Sequence, residues 1–435
     1  MINRRDLLKL TGLAGATGLL GLEKAFAMSS KVDESSVKGK AHVVVVGGGF
    51  GGATTAKYIK IWDKDISVTL IEPSTKYYTC PFSNTVIGGF KKMEDIEVDY
   101  SILKGKYGVN IIHQTVIDID GTAKTVTLDN GKKLKYDMLV LSPGVSFNYG
   151  AVEGATPEMA ETLPHAWKAG PQTVLLKKQL EAMPDGGTFV MVIPPMPYRC
   201  PPGPYERASL VAWYLKNNKP KSKILLLDAK NDFAKQKLFM EGWQSLYGNM
   251  IEWVQGDLGG KVVKVDPKEK VVVTSSGEKI KGDVINFIPH QKAGDLVLKF
   301  GLADDKGWAQ INPKTFESKN VKGIYVIGDS CATPMPKSGF SANSHGKVAA
   351  AAIVATVNGK NPEDTTIVNT CYSLVSPDYG ISVAAVYNVT QEGIKAVNGA
   401  GGVSPTGMDS KFREKEAIYA QVWYDNIVAD TWGKG

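Results

Sequence analysis

"HVVVVGGGFGGATTAKYIKIW", residues 42–62, decides the fold of this 435-residue chain. The valines at 43–46 form a β-branched run, typical of a parallel strand covered on both faces. Gly47, Gly49 and Gly52 complete G-x-G-x-x-G, and residues 53–61 read as a helix. "ISVTLIEP" (66–73) supplies the next strand and ends at Glu72, twenty residues beyond Gly52. Each part has a physical task. Gly47 makes the tight turn, Gly49 lets the backbone approach a pyrophosphate, and Gly52 allows close helix–strand packing. The helix N-terminus offers partial positive charge to phosphate, and Glu72 can accept from ribose hydroxyls. A lone glycine motif says little. In a strand–loop–helix–strand–acid context it reads as a dinucleotide site rather than a structural turn.

The chain length allows two or three domains, and the composition is that of an ordinary globular protein. A formal charge of +7 is mild for this length and does not point to nucleic acid. The first 27 residues have a charged start, an apolar run at 10–22 and a small-x-small end at Ala25-Phe26-Ala27. This is a secretory signal, too short to span a bilayer. Arg4-Arg5 followed by Asp6-Leu7-Leu8-Lys9 resembles a twin-arginine signal, which exports folded, cofactor-loaded proteins to the periplasm. An ordinary signal with two basic residues is the alternative. The mature chain carries no integral membrane segment. Four cysteines, Cys80, Cys200, Cys331 and Cys371, lie far apart, with no C-x-x-C for zinc and no C-x-x-C-H for haem. No metal site is expected.

Two later stretches choose FAD over NAD. "KYDMLVLSPG" (135–144) resembles the strand and turn that close the FAD domain of two-dinucleotide flavoproteins, with Ser142-Pro143-Gly144 for the usual ending. "GIYVIGDSC" (323–331) resembles the strand whose Gly-Asp, here Gly328-Asp329, meets the flavin ribityl chain, and a long small-residue helix is expected after it at 344–357. A second α/β unit occupies 151–290, with strands at 189–193, 223–227, 261–265, 271–274 and 284–287 and a helix at 207–217. Its first loop carries Pro194, Pro195, Pro197, Pro201, Pro202 and Pro204 around Cys200. Proline lacks the N–H that cradles phosphate, so no NAD(P) site is expected there.

At this point the chain resembles the flavoprotein subunit of flavocytochrome c sulfide dehydrogenase, in the wider group of sulfide:quinone oxidoreductases and disulfide-reductase-like flavoproteins. "YYTCPFSN" (77–84), "YRCPPGPYERAS" (198–209), "YVIGDSCATPMPKSGFSANSHGK" (325–347) and "NTCYSLVSPDYGISVAAVY" (369–387) carry the resemblance, which covers essentially the whole mature chain. It implies an α/β, two-dinucleotide-binding (Rossmann-like) flavoprotein fold with a C-terminal interface domain. The expected order is signal peptide 1–27, linker 28–40, FAD domain 41–150 and 291–360, second Rossmann-like domain 151–290, and a flavin-covering interface domain 361–435.

The resemblance also implies chemistry. Cys80 would carry FAD through an 8α-S-cysteinyl bond; from the residues alone it reads as a small buried apolar Cys. Cys200 and Cys371 would form a redox disulfide, where a structural disulfide is the alternative. Cys331 is expected to be buried and free. Glu206 reads equally as an acid/base group and as a first-turn Glu favoured by the helix dipole. Val116, Gly144, Lys337, Ser344 and Trp423 join Gly47, Gly49, Gly52, Glu72, Gly328 and Asp329 as expected cofactor contacts. Trp423 reads as well as a core tryptophan. Arg207 and Lys337 would attract anionic sulfide or be solvated surface cations, and His345 would face the flavin or cap its helix. The implied function is sulfide oxidation to sulfur or polysulfide, with electrons passing to a c-type cytochrome subunit in a heterodimer. A membrane-surface sulfide:quinone oxidoreductase and a non-catalytic FAD-binding accessory protein are the rival readings.

Overall fold

A computed structural model describes residues 39–434. The expected signal peptide and nearly all of the expected linker lie outside the described residues. The first strand, β1 (Ala41–Val46), is buried along its whole length. It leads through α1 (Phe50–Trp62) to β2 (Ile66–Ile71), which pairs with it in parallel from Ala41↔Ile66 to Val46↔Ile71. β3 (Asn110–Ile112) adds to β2, and β4 (Met138–Leu141) adds to the other side of β1. Val43, Val44, Val45, Leu139, Val140 and Leu141 are fully buried, which is why these strands read as unbroken apolar runs rather than alternating ones.

A second parallel sheet follows. It contains β5 (Thr188–Ile193), β6 (Lys223–Asp228), β7 (Ile251–Val254) and β8 (Val284–Phe287) in the order β7-β6-β5-β8. α2 (Gly203–Asn218) joins β5 to β6, and α3 (Gln236–Tyr247) joins β6 to β7. α2 starts four residues before the expected helix. Pro204 sits in its first turn, where a missing N–H costs no intrahelical bond, and Glu206 shares that turn. The strands expected near 261–265 and 271–274 form an antiparallel ladder with Lys279–Lys281, outside the parallel sheet.

The chain then returns. β9 (Ile324–Val326) pairs with β4 and completes the first sheet in the order β9-β4-β1-β2-β3. α4 (Gly339–Val357) packs along α1, with Thr55 Oγ1 donating to Gly346 O at 3.2 Å. It starts five residues before the expected helix, because Ser338 caps it by accepting from Ser341 N. The last unit is an antiparallel meander of β10 (Thr365–Ser376), β11 (Tyr379–Thr390) and β12 (Gly393–Val403). It is closed by α5 (Ser410–Trp432), whose cap residue Asp409 accepts from Phe412 N at 2.8 Å. β10 packs against both α2 and α4, and α5 packs against β11 and α1. These contacts gather the first turn of α2, the start of α4, β10 and α5 around one point. Among the described residues no helix is long and apolar enough to cross a membrane.

Candidate functional site

At the C-terminal ends of the first sheet lies a cavity of about 650 Å3, within the range of cofactor sites. Gly47, Gly49, Glu72, Val116, Gly144, Gly328 and Asp329 all line it. Gly47 has φ +98°, and a Cβ there would meet Ser142 O at 2.4 Å, so the turn demands glycine. Gly52 does not face the cavity. A Cβ on it would lie 1.9 Å from Gly47 O, so it serves the packing of α1 under the turn. α1 has no side-chain cap and no acid in its first turn, which leaves its N-terminal N–H groups available to an anion. The Glu72 carboxylate accepts from Gly48 N at 2.9 Å and Ser74 N at 3.0 Å and so fixes the glycine loop.

On the opposite wall, Gly328 adopts φ +71° and presents Asp329. Asp329 is buried, and its Oδ1 has no hydrogen-bond partner. Burial pushes its carboxyl above the usual range, while Arg199 and Lys337 pull it back. Lys337 is not a lining residue. Its ammonium donates to Asp329 O at 2.7 Å and Cys331 O at 2.8 Å and sits 3.7 Å over the Trp308 ring, so it braces the Gly-Asp turn from behind. Ser344 is also absent from the lining. The early start of α4 puts it in the second turn, buried, with Oγ donating to Val368 O at 2.8 Å. Gly339 and Ala342 of α4 face the cavity instead. His345 is buried with its ring against Phe316 and neither faces the cavity nor caps the helix.

Cys80 and Arg199 line this cavity and also a second, smaller one of about 60 Å3. Cys200, Cys371, Glu206, Arg207 and Trp423 line the smaller one too. Three cysteines from distant parts of the chain therefore meet around one space. Cys200 and Cys371 are thiols in this structure. Cys200 has φ +59°, a left-handed conformation that costs a residue with a Cβ. The surroundings impose it: Cys200 N donates to Lys337 O at 2.7 Å, and Gly203 N donates to Cys200 O at 2.8 Å. Burial pushes both thiols up, and for Cys200 the neighbouring Cys371, Glu206 and Cys80 push in the same direction.

Glu206 Oε2 accepts from Asn84 Nδ2 at 2.7 Å, and Oε1 accepts from Leu374 N at 3.0 Å. Burial nevertheless raises its pKa. Arg207 is neither solvated nor a free anion attractor. It is buried, donating to Asn84 Oδ1 and Asn286 Oδ1 and to the carbonyls of His165 and Ala166. Trp423 is part of the cavity wall, stacked on Phe340 with ring centroids 6.3 Å apart, and its Nε1 has no partner. Cys331 lies apart from both cavities, with Sγ donating to Val326 O at 2.8 Å and burial pushing it to about 12. Sequence reasoning missed Arg199 and Asn84, although both sit inside quoted motifs, and Lys235, whose chain position carries no signal.

In the second unit, the crevice beyond β5 and β6 is filled. Asp228 ends β6, where a nucleotide unit places its ribose-binding acid, and it has 0% exposure. Its carboxylate is satisfied by Tyr205 Oη, Trp253 Nε1 at 3.0 Å, and both nitrogens of Lys230. Tyr205 stacks on Phe233 with centroids 3.6 Å apart.

Residues 173–289 match the central domain of the sulfide dehydrogenase (flavocytochrome c) flavoprotein chain, and residues 363–432 match the flavocytochrome c sulphide dehydrogenase flavin-binding family. Residues 41–177 match the pyridine nucleotide-disulphide oxidoreductase family. A sulfide dehydrogenase (flavocytochrome c) flavoprotein chain of Chlorobaculum thiosulfatiphilum is 67% identical over 48 residues, which is 100% of that relative and 11% of this chain. Sulfide-quinone reductase of Aquifex aeolicus is 26% identical over 67% of this chain and 69% of its own. The solved sulfide:quinone oxidoreductase of Aquifex aeolicus superposes with a TM-score of 0.69 at 19% identity, covering 90% of this chain and 92% of that one, and so shares the fold. The two sulfide dehydrogenase matches fall on the second sheet and on the meander with α5, the parts that hold Cys200, Glu206, Cys371 and Trp423, and the chain belongs to the flavocytochrome c sulfide dehydrogenase flavoproteins.

Proposed function

We propose that this chain is the flavoprotein of a periplasmic sulfide dehydrogenase that oxidises sulfide through the Cys200–Cys371 pair. The observation that carries this reading is the space shared by Cys80, Cys200 and Cys371, which joins the large cavity at Cys80. The large cavity fits FAD. Its glycine loop and the bare α1 N-terminus suit a pyrophosphate, and the unpartnered Asp329 Oδ1 suits a hydroxyl donor. Gly47 and Gly49 would hold the pyrophosphate, Glu72 the adenosine ribose, Asp329 the ribityl chain, and Cys80 the ring through a thioether. When bound, FAD takes up two electrons and passes them on singly.

The chain's own residues perform the sulfur chemistry. In the oxidised protein, hydrosulfide attacks one sulfur of the Cys200–Cys371 disulfide. The old S–S bond breaks, a new one forms as a persulfide, and the other cysteine leaves as a thiolate. Burial raises the pKa of Glu206, which suits it to take up and release a proton beside the pair. Trp167, Arg207 and Trp423 wall the space against bulk water. The filled crevice around Asp228 supports a chain that takes no electrons from NAD(P)H.

The electron acceptor in this reading is a separate c-type cytochrome subunit, reached after export by the twin-arginine route. The exposed side chains of Ile418, Tyr419 and Val422 on α5, next to Trp423, supply an apolar contact face. The same face suits a quinone-side reading at a membrane surface. Sulfide-driven reduction of cytochrome c against that of a soluble quinone separates the two. Mass spectrometry of the denatured protein tests the rest. The expected mass includes FAD on Cys80 and a Cys200–Cys371 link, and Cys80→Ser releases the flavin. A Cys200→Ser protein whose flavin is still bleached by sulfide at full rate would refute the sulfur mechanism.

A further inference from the structure

We propose that Lys235 is a positioning residue whose buried ammonium is the counter-ion for the anionic sulfur, thiolate or persulfide, that Cys371 carries once its disulfide has opened. The inference rests on the proposed sulfur chemistry and adds a residue that neither motif nor family match singled out.

Lys235 immediately precedes α3 and is buried. Its Nζ donates to Ser373 Oγ at 2.8 Å and to Ile381 O at 3.5 Å. Ser373 pairs with Ile381 across β10 and β11, so the lysine tip is pinned at that rung. Cys371 is two residues from Ser373 on the same strand, and side chains two apart share a face. Side chains two apart on a strand are one pleat repeat, about 7 Å, apart, so the ammonium, one hydrogen bond from Ser373 Oγ, lies within about 10 Å of the Cys371 sulfur.

None of the ion pairs among the described residues involves Lys235. The carboxylates around it are committed elsewhere. Glu206 accepts from Asn84 and Leu374, while Glu416 pairs with Arg413 at 3.0 Å and accepts from Ser382 and Ser404. Burial pulls the Lys235 ammonium below its ordinary pKa, and of the groups that hold the charge on it Cys371 acts most strongly. The groups that face it are Cys371 on β10, Glu206 on α2, Cys200 in the proline loop and Glu416 on α5. Cys371 alone is both on its rung face and in the cavity where sulfur chemistry is proposed. Consistently, Lys235 is the largest influence pulling the Cys371 thiol down against burial, with Glu206 opposing it.

The test reads the thiol rather than turnover. In a Cys200→Ser background, the pH dependence of Cys371 alkylation by iodoacetamide is followed by mass spectrometry, first with Lys235 intact and then in the Lys235→Met and Lys235→Arg variants. At about 7–10 Å and an effective dielectric near 20, a unit charge shifts a thiol by roughly one to two pH units. Lys235→Met is expected to raise the apparent Cys371 pKa by that amount and to slow alkylation near neutral pH at least about tenfold. Lys235→Arg is expected to restore it. An unchanged Cys371 profile in Lys235→Met overturns the proposal. Should the methionine variant not fold, the reduced wild-type protein decides: Cys371 must become reactive at lower pH than Cys200, and the reverse order refutes the assignment. Because neither readout needs sulfide, failure here leaves sulfide bleaching intact. Loss of bleaching with a normal thiol profile instead sinks the function.

Discussion

Glu206→Gln separates a proton-moving Glu206 from a merely structural one. The carboxylate accepts from two fixed donors, Asn84 Nδ2 and Leu374 N. Asn84 cannot turn its amide around, because its Oδ1 already accepts from Arg207 Nε at 2.9 Å. A glutamine therefore aims its own NH2 at one of the two donors whichever way it sits. One buried donor loses its acceptor, at a cost of about 1–3 kcal/mol. The pH dependence has a definite sign. Burial raises the folded-state pKa of Glu206 above its ordinary value of 4.5, so between these two values the folded protein binds more protons than the unfolded one. Wild-type stability therefore falls as pH rises through that window, while the glutamine variant has nothing to titrate there. Denaturant melts of both proteins across the acid range should show the variant less stable by about 1–3 kcal/mol at the acid end, with the gap narrowing as pH rises. If the gap widens with pH, the carboxylate is stabilised by its donors more than it is penalised by burial, and the reasoning fails. Sulfide-driven flavin bleaching adds the functional arm. Loss of a general acid/base should slow it roughly 10²- to 10⁴-fold, whereas a purely structural Glu206 leaves the rate of the folded variant near that of wild type.

Asp329→Ala, made with Cys80→Ser so that FAD is held without a covalent bond, removes the unpartnered Oδ1 from the cavity wall. A hydrogen bond to a charged group is worth about 1.5–3 kcal/mol, so calorimetric FAD affinity should drop roughly ten- to 150-fold. Unchanged affinity would remove Asp329 from the cofactor contacts. Gly47→Ala puts a Cβ 2.4 Å from Ser142 O at φ +98°. The purified variant should show a lowered flavin-to-protein absorbance ratio, and full loading with an unaltered melt would contradict the turn's role.

The first sheet was legible because its physics is local. The valines at 43–46, the glycine spacing and the acid at Glu72 are each readable within thirty residues, and β1, α1 and β2 follow them closely. Helix starts were placed late for α2 and α4 because proline and serine before the apolar run read as loop, whereas Pro204 belongs to the first turn of α2 and Ser338 caps α4. The four- and five-residue errors had consequences. Moving the start of α4 back turns Ser344 toward β10 and gives the cavity to Gly339 and Ala342. Lys337 was misplaced for a different reason. A lysine beside a glycine-aspartate turn reads as pointing at the ligand, but its length lets it fold back onto two carbonyls and the Trp308 face. Lys235, 136 positions before Cys371 in the chain, was invisible because only the packing of α3 against β10 brings them together.

The proline loop from Pro194 to Pro204 also changes meaning in three dimensions. Six prolines leave five amides between Pro194 and Pro204, and three of these are turned inward. Arg199 N donates to Gln291 Oε1, Cys200 N to Lys337 O and Gly203 N to Cys200 O. Tyr198 Oη donates to Pro201 O, and Trp167 Nε1 donates to Arg199 O. A phosphate cradle needs amides pointing out of the loop toward the ligand; this loop spends three of its five on fixing its own shape. The shape so fixed includes the left-handed backbone of Cys200, which an unconstrained cysteine would leave for a region costing less. At the far end of the same crevice, Tyr198 and Tyr205, which flank that cysteine, place their rings against Lys230, and Tyr205 also bonds Asp228. The side chains that fill the nucleotide crevice are thus the ones that brace the sulfur. The packing of this crevice and the placement of Cys200 share side chains, and opening the crevice at Tyr205 is expected to loosen the loop that holds the thiol.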